Sequence, residues 1–137
     1  MRVVLDSSVL IAAAISRAGT CAAVLEDVLA HHELVLSEYI LGEVEQKLRG
    51  KFSFPEREIR PLVRILRDAG QLVEPAALPA DACRDPDDVP VLGTAVSGYA
   101  TAIITGDKDL LTLRHFREIQ ILDASRFWSL AHKSAGG

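Results

Sequence analysis

The sequence predicts an α/β fold with three layers, in which a central parallel sheet is covered by helices on both faces. Short apolar runs, such as residues 2–5 and 102–105, alternate with longer segments whose apolar residues recur every three or four positions. The short runs show no alternation of polar and apolar residues, which is typical of strands buried on both faces. The chain has 137 residues, of which 49% are hydrophobic, so one domain can bury a core.

The first half of the chain is predicted to contain two of the strands. In order, we expect a strand at 2–6, a helix from about residue 9 to a break at Gly19, a helix at 21–30, a strand at 34–36 and a helix at 38–48. Ser37 stands just before the third helix and is a favourable N-cap residue.

The second half is predicted to contain three more strands. In order, we expect a helix that ends at Ala69, a strand at 72–73, an irregular loop at 75–86, a helix at 88–99, a strand at 102–105, a short helix or loop at 110–114, a strand at 119–122 and a helix at 124–132. Pro61 is either the first residue of its helix or a kink in it. Residues 1–132 are therefore expected to form one domain, followed by a disordered tail at 133–137.

Composition narrows the class of protein. No apolar run approaches the roughly 18 residues of a membrane span, and Asp6 interrupts the apolar start, which argues against a signal peptide. We therefore expect a soluble cytoplasmic protein. Cys21 and Cys83 lie in no metal-binding or redox spacing. The net charge of −4 argues against a basic DNA-coating protein, but it leaves open an enzyme that acts on nucleic acid.

Acidic residues follow two of the predicted strands. Asp6 follows the first strand, and Asp107 and Asp109 follow the strand at 102–105, where Gly106 is expected to allow a sharp turn. In an open α/β sheet, ligands bind at the carboxyl ends of the strands. The pattern therefore predicts acidic groups over one edge of the sheet. The alternative is that each aspartate only caps the helix that follows it.

Two more acidic residues are predicted to point inward from helices. Glu43 borders the apolar face that includes Ile40 and Val44, and Asp88 lies one turn before Leu92 on the core face of its helix. A buried acid is costly unless it is paired or binds a metal. The spacing places no Lys or Arg on the same inner face to pair either one.

The predicted convergence of Asp6, Glu43, Asp88 and Asp107 points to a metal site. Four converging carboxylates repel one another, and a divalent cation removes that conflict. Oxygen ligands without a His or Cys cluster favour one or two ions of Mg²⁺ or Mn²⁺. Such ions polarise a phosphate and activate water, so the site suits hydrolysis of phosphodiester bonds.

Two further groups are candidates for contacts around this site. The hydroxyls of Ser8 and Thr105 are placed to hold the carboxylates by hydrogen bonds, although both are also ordinary residues at a helix start and a strand end. Basic side chains that could contact RNA phosphates or an acidic partner are Arg60, Arg64, Arg67 and Lys108. For the three arginines, which share one helix stripe, the alternative is a solvated helix face.

Four motifs occur in order along the chain: Val4-Leu5-Asp6-Ser7-Ser8, Ser37 to Glu43, Asp85-Pro86-Asp87-Asp88, and Thr105-Gly106-Asp107-Lys108-Asp109-Leu110. With them the chain resembles the PIN-domain nucleases, and most closely their VapC-type toxin branch, from Val3 to about Trp128. The chain departs from the family pattern at Ser8, where many relatives have Asn, and at Gly93, where some have an acid.

The resemblance implies a sheet of strand order 3-2-1-4-5, dependence on Mg²⁺ or Mn²⁺, cleavage of single-stranded RNA and a neutralising antitoxin protein. It matches Asp6, Glu43, Asp88 and Asp107 to the family's acidic quartet, and Asp109 to an acid often present after the quartet. We further expect a homodimer.

Other classes of α/β protein are possible on the same pattern. A receiver-like signalling domain needs a phospho-accepting aspartate at the end of a middle strand, but the second strand ends in Leu36-Ser37. A haloacid-dehalogenase phosphatase needs Asp-x-Asp after the first strand, and Asp6-Ser7-Ser8 lacks the second acid. A DNA nuclease of the same fold, or a PIN fold that only binds, remains open.

Overall fold

The computed structural model describes residues 1–133. Its elements are β1 (Arg2–Leu5), α1 (Ser7–Ile15), α2 (Thr20–His31), β2 (Glu33–Leu36), α3 (Glu38–Gly50), α4 (Glu56–Ala69), β3 (Gln71–Leu72), a 3₁₀ turn (Pro86–Asp88), α5 (Val89–Ser97), β4 (Ala102–Ile104), α6 (Lys108–Leu113), β5 (His115–Phe116), β6 (Ile119–Leu122) and α7 (Ala124–His132). The tail predicted at 133–137 lies outside the described residues, apart from Lys133.

The sheet has the order β3-β2-β1-β4-β6-β5, and every pair is parallel except β5 with β6. This confirms the α/β fold and the predicted order 3-2-1-4-5, in which β6 is the fifth predicted strand. The sheet also has an edge strand, β5, that was not predicted. It has only two residues, which pair with the start of β6 in a tight hairpin, and so short a strand leaves no periodicity in the sequence.

The strand register brings three carboxyl ends to one edge of the sheet. Leu5 pairs with Ile104, and Ile104 pairs with Leu122. The next residues continue this pattern, because the Asp6 N–H donates to the Ile104 carbonyl at 2.9 Å and the Thr105 N–H donates to the Leu122 carbonyl at 2.9 Å. The residues that follow β1, β4 and β6 therefore lie side by side.

The helices that flank the site are anchored through buried hydroxyl groups. Ser37 is fully buried and caps α3 by accepting a hydrogen bond from the Ile40 N–H at 3.4 Å. The Thr94 hydroxyl donates to the Ser37 oxygen at 2.9 Å, which ties α5 to the start of α3. This pair fixes α3, which carries Glu43, against α5, which begins directly after Asp88.

Pro61 lies inside α4, which begins at Glu56. It is therefore not the first helical residue, and the helix continues through it to Ala69. A proline in this place leaves the carbonyl one turn earlier, at Arg57, without its helical donor. Both Arg57 and Pro61 are exposed, so water can supply the missing hydrogen bond.

No single helix in residues 1–133 is long and apolar enough to cross a membrane. The helices α1 and α2 reach that length and hydropathy only when taken together, and the chain bends by 111° between them. Five residues of α1 are buried in the protein, including Val9, Leu10 and Ile11.

Gly93 allows α5 to pack closely against the chain that leads from β3 to the 3₁₀ turn. A Cβ atom on Gly93 would lie 2.5 Å from the carbonyl oxygen of Ala76, and the Ala76 N–H donates to the Gly93 carbonyl at 3.0 Å. Neither an alanine nor a larger side chain fits here without movement of that backbone.

Replacing Gly93 with Ala is expected to lower the free energy of unfolding by roughly 1–3 kcal/mol, because the backbone at Ala76 must move to admit the methyl group. Gly42 is the matched control, since it is an exposed helical glycine with nothing within 4 Å of an added Cβ. Gly42→Ala is expected to raise the free energy of unfolding by about 0.5–1 kcal/mol. Urea denaturation of both variants measures the difference, and shifts of the same sign would contradict the close packing at Gly93.

Candidate active site

Asp6 is held rigidly at the carboxyl end of β1. Its side chain is buried, and Oδ1 caps α1 by accepting a hydrogen bond from the Ser7 N–H at 2.8 Å. Oδ2 accepts from the Thr105 hydroxyl at 2.7 Å and from the Ser8 hydroxyl at 3.3 Å. The two hydroxyls that were expected to support the carboxylates therefore both contact Asp6.

The same two hydroxyls also position the chain that leads to Asp107. The Thr105 oxygen accepts from the Asp107 N–H, and the Ser8 oxygen accepts from the Gly106 N–H, each at 3.0 Å. Asp107 Oδ1 caps α6 by accepting from the Asp109 N–H at 2.8 Å. The expected turn at Gly106 does not use the left-handed backbone region, since no glycine in residues 1–133 has a positive φ.

Asp88 lies in a cluster with Asp107 and a third acid, Asp85. One carboxylate oxygen from each of the three lies within 4.8 Å of the others. Asp88 is buried, as predicted, and its Oδ2 atom has no hydrogen-bond partner among residues 1–133. An unpartnered carboxylate oxygen among other carboxylates is costly, and a hard cation satisfies it. The donor set therefore fits a divalent metal ion.

Sequence reasoning did not place Asp85 in the site. Asp85 caps the 3₁₀ turn by accepting from the Asp87 N–H at 2.9 Å, and Pro86 is the first residue of that turn. An aspartate followed by proline is a recognisable turn start, so its capping role could have been predicted. Its approach to Asp88 depends on the path of the irregular loop before it, which the sequence pattern does not determine.

Glu43 lies on α3 at the side of this cluster, half-buried. The Ser7 hydroxyl donates to its Oε1 at 3.3 Å. The inference that no basic residue pairs with Glu43 was wrong, because Lys47 Nζ lies 3.9 Å from Oε2. Lys47 is four residues further along the same helix, a spacing that places two side chains on one face. The pair is half-exposed, so it reduces the negative charge near Glu43 without filling the site.

The pKa values show that these carboxylates share one electrostatic environment. Burial raises the pKa of Asp88 to about 7, and the nearby charges of Asp107, Asp6 and Asp85 add to the increase. Burial also raises the pKa of Asp6, despite its hydrogen bonds from Thr105 and Ser7.

Burial is likewise the main reason that the pKa of Glu43 is raised. Lys47 opposes the increase, and the charge of Asp6 adds to it. The charge of Asp6 therefore acts on both Glu43 and Asp88, and the charge of Asp107 acts on Asp6.

Tyr39 is a second residue that sequence reasoning missed. Its hydroxyl donates to the Asp87 carbonyl at 2.8 Å, so it ties α3 to the 3₁₀ turn that carries Asp88. Burial raises the pKa of this hydroxyl to about 12, with contributions from Glu43 and Asp87. Tyr39 lies one turn before Glu43 on α3, and that spacing is the signal that could have indicated it.

The remaining candidate residues lie further from the centre of the site. Asp109 is half-buried in the first turn of α6 and is not part of the three-acid cluster found in residues 1–133. Lys108 is exposed.

The three arginines of the α4 stripe are exposed, and two of them have acidic partners. Arg60 Nε lies 3.9 Å from a Glu56 carboxylate oxygen, and the Arg67 guanidinium donates to the Glu38 carboxylate. Arg64 forms no ion pair within residues 1–133.

Three solved structures share this fold at TM-scores of 0.60 to 0.65. VapBC2 from Rickettsia felis, bound to a DNA fragment from its promoter, is 12% identical, and the match covers 88% of this chain and 97% of that one. VapBC-1 from nontypeable Haemophilus influenzae is 19% identical, with 91% and 99% covered. VapC20 from Mycobacterium tuberculosis, a toxin that cleaves the sarcin-ricin loop, is 15% identical, with 86% and 98% covered. Their TM-scores are 0.65, 0.62 and 0.60, respectively.

Sequence comparisons identify a family for this chain but no individual curated relative. No curated protein matches this chain. A family model of the PIN domain matches residues 2–109, which include Asp6, Glu43, Asp88 and Asp107. Since the match covers well over half of the chain and agrees with the fold of the three structures, the chain belongs to the PIN domain family.

Proposed function

We propose that the chain is a metal-dependent endoribonuclease that cleaves single-stranded RNA, and that it is the toxin of a toxin–antitoxin pair of the VapC type. The observation that carries the proposal is the buried residue Asp88, which has a carboxylate oxygen without a hydrogen-bond partner and clusters with Asp107 and Asp85. The PIN domain is a nuclease family, and one of the structural neighbours is a toxin that cleaves the sarcin-ricin loop.

Asp85, Asp88 and Asp107, whose oxygens cluster, would hold the metal. Asp6 and Glu43 are proposed as further ligands, because they belong to the predicted quartet. Carboxylate oxygens without His or Cys favour Mg²⁺ or Mn²⁺, as one ion or two. When bound, such ions supply polarisation of the phosphate and activation of water.

The chain's own residues prepare this site before any metal binds. Thr105 and Ser8 fix Asp6 and the Asp107 backbone relative to each other, so two of the ligands need little rearrangement. Tyr39 and the Ser37–Thr94 contact hold the turn and the helix around Asp88.

The direct test is a substrate panel of single-stranded RNA and single-stranded DNA of the same base sequence, each with Mg²⁺, Mn²⁺ or EDTA. We expect endonucleolytic cleavage of RNA with either metal and none in EDTA. Cleavage of DNA alone would replace the proposal with a DNA nuclease of the same fold. Cleavage of neither strand, with metal binding retained, would indicate a PIN domain that only binds.

The partner of the chain is proposed from the same neighbours, since two of them are VapBC assemblies. We propose a cognate antitoxin that inhibits cleavage, a homodimer of this chain, and action in the cytoplasm on cellular RNA. Co-expression with the adjacent reading frame tests the antitoxin, because a true partner co-purifies and suppresses the ribonuclease. Light scattering of the chain alone tests the dimer.

Asp109 and Lys108 are expected to contribute less than the central acids. Asp109→Asn is expected to lose activity that excess Mn²⁺ partly restores, since added ligand refills a weakened site by mass action. Lys108→Ala is expected mainly to raise KM, as the loss of uniform substrate binding does. Metal titrations of initial rates measure both effects. An Asp109→Asn variant that stays inactive at saturating Mn²⁺ would contradict this division.

A further inference from the structure

A cleft of about 720 Å³ lies on the side of the sheet formed by β5 and β6, between α6 and α7. Three arginines line it: Arg114 follows α6, Arg117 stands in the hairpin turn, and Arg126 lies in the first turns of α7. All three are exposed at the surface, and His115 lines the cleft beside them. The cleft therefore gathers cationic side chains from three separate elements.

These arginines differ from the α4 stripe in their partners. None of the three lies within 4.0 Å of a carboxylate in residues 1–133, although Glu118 and Asp123 also line the cleft. The Arg117 guanidinium lies 5.3 Å from the centre of the Phe116 ring, a cation–π contact that leaves its N–H groups available. Three unneutralised guanidinium groups in one cleft, on a chain of net charge −4, indicate a binding site for an external anion.

The backbone of the hairpin supports this interpretation. Arg114 and Arg117 flank the two-residue strand β5, and both have positive φ angles, of 62° and 55°. Non-glycine residues adopt this region at a cost, and such residues are concentrated at functional sites. The Arg114 carbonyl accepts from the Ile121 N–H at 2.9 Å, so this backbone is fixed by β6.

The cleft shares one residue with a second cleft that borders the acidic site. Asp123 lines it, and also lines a smaller cleft together with Ser8, Thr105 and Gly106. Ser8 and Thr105 are the residues whose hydroxyls contact Asp6. A chain molecule that lies in the basic cleft can therefore continue over Asp123 to the edge of the sheet where phosphodiester cleavage is proposed.

We propose that the basic cleft binds the phosphate backbone of the RNA substrate on one side of the scissile bond, through Arg114, Arg117 and Arg126. The inference rests on the proposed ribonuclease function and adds to it the path that the RNA substrate takes across the protein surface. A guanidinium group can donate two parallel hydrogen bonds to the oxygens of one phosphate, and its plane can also stack on an unpaired base. An acidic peptide offers matching charge but carries no phosphodiester bond for the acidic site to cleave, and the proximity of the two sites therefore favours RNA.

The test measures the salt dependence of RNA binding in EDTA, by fluorescence anisotropy of a labelled single-stranded oligonucleotide. Arg126→Ala is the first variant, because Arg126 lies in α7 and its backbone has no positive φ, and Arg117→Ala with Arg126→Ala is the second. The slope of log K against log salt is expected to fall by about 0.7 for each phosphate that the variant can no longer neutralise. Adding Arg114→Ala is expected to lower the slope by a further ~0.7, and circular dichroism checks that this triple variant is folded.

The matched control is Arg17→Ala with Lys51→Ala, which removes two exposed positive charges elsewhere on the surface. Its slope is expected to remain that of the natural sequence. The Arg60, Arg64 and Arg67 triple variant is expected to change the slope less than the cleft variants, since Glu56 and Glu38 already partner two of those charges. In cleavage assays the cleft variants should raise KM about tenfold or more with little change in kcat.

The outcomes separate this inference from the proposed function. If the natural sequence neither binds nor cleaves RNA, the proposed function fails. If it cleaves RNA while the cleft variants keep its salt slope and KM, only the cleft inference is overturned. Loss of binding to a poly-glutamate peptide with unchanged RNA binding would also overturn it, since the cleft would then be a surface for an acidic protein.

Discussion

Asp107→Asn and Asp6→Asn are each expected to lower the rate of RNA cleavage by more than about 100-fold, even at saturating Mg²⁺ or Mn²⁺. Loss of a residue that only supports a metal ligand typically costs 10- to 100-fold, and these two are proposed as ligands themselves. Asn keeps the shape of the side chain, and its one carbonyl oxygen can still accept from the N–H group that the aspartate caps, which is that of Ser7 for Asp6 and that of Asp109 for Asp107. The effect therefore reports removal of the negative charge and of the bond to the metal, because the helix cap is kept.

The same two variants are expected to be more stable than the natural sequence when metal is removed. Asp6 and Asp107 repel each other and the buried Asp88, and a neutral amide relieves that repulsion. Initial rates at saturating Mg²⁺ or Mn²⁺ measure the loss of activity, and melting temperatures in EDTA measure the gain in stability. Asp81→Asn, a change at an exposed loop acid, is the control and should alter neither quantity. An inactive variant with a lowered melting temperature in EDTA would point to misfolding instead.

The alternative in which each aspartate is only a helix cap turned out to be compatible with a site. Asp6, Asp85 and Asp107 each cap a helix or turn with one carboxylate oxygen. The second oxygen of each remains available for other contacts, and in Asp6 it accepts from Thr105 and Ser8. The unpaired N–H groups at a helix start also favour negative charge nearby. Capping thus orients the acids and offsets part of their mutual repulsion.

The strand ends were the predictable part of the site. Asp6 and Asp107 follow the apolar runs of two strands, and parallel strands of one sheet have their carboxyl ends at the same edge. Asp88 was predictable from helical spacing, because Leu92 lies one turn later on the buried face.

Other parts depend on contacts between segments that are distant in sequence. Asp85 reaches Asp88 through an irregular loop, and Tyr39 finds its partner 48 residues away at Asp87. The two-residue strand β5 forms only because β6 is there to pair with it. Periodicity within one segment does not predict such contacts. The basic cleft beside β5 could therefore not be predicted from the sequence.

Metal affinity is expected to depend strongly on pH, through Asp88. Its pKa is raised to about 7 by burial and by the charges of Asp107, Asp6 and Asp85. A metal ligand must be deprotonated, so binding of Mg²⁺ or Mn²⁺ must displace this proton at lower pH. The apparent dissociation constant should therefore rise about tenfold for each pH unit below about 7. Titrations from pH 5.5 to 8 that follow the melting temperature measure this effect.

Stability without metal should change with pH in the opposite sense. A carboxyl group whose pKa is higher in the folded state binds more protons there than in the unfolded chain. The free energy of unfolding in EDTA should therefore fall as the pH rises from about 4 towards 7, and Asp6 and Glu43 contribute in the same direction. Asp88→Asn removes the carboxyl group whose pKa is raised to about 7. The free energy of unfolding of this variant in EDTA should therefore change less with pH. Its melting temperature at pH 7.5 should be higher, and metal should raise that temperature much less. If the free energy of unfolding of the natural sequence in EDTA instead increased between pH 5 and 7, the proposed role of Asp88 would be contradicted. Such an increase would mean that the carboxylate form of Asp88 is stabilised by a positive charge, and the structure places no such charge beside it within residues 1–133.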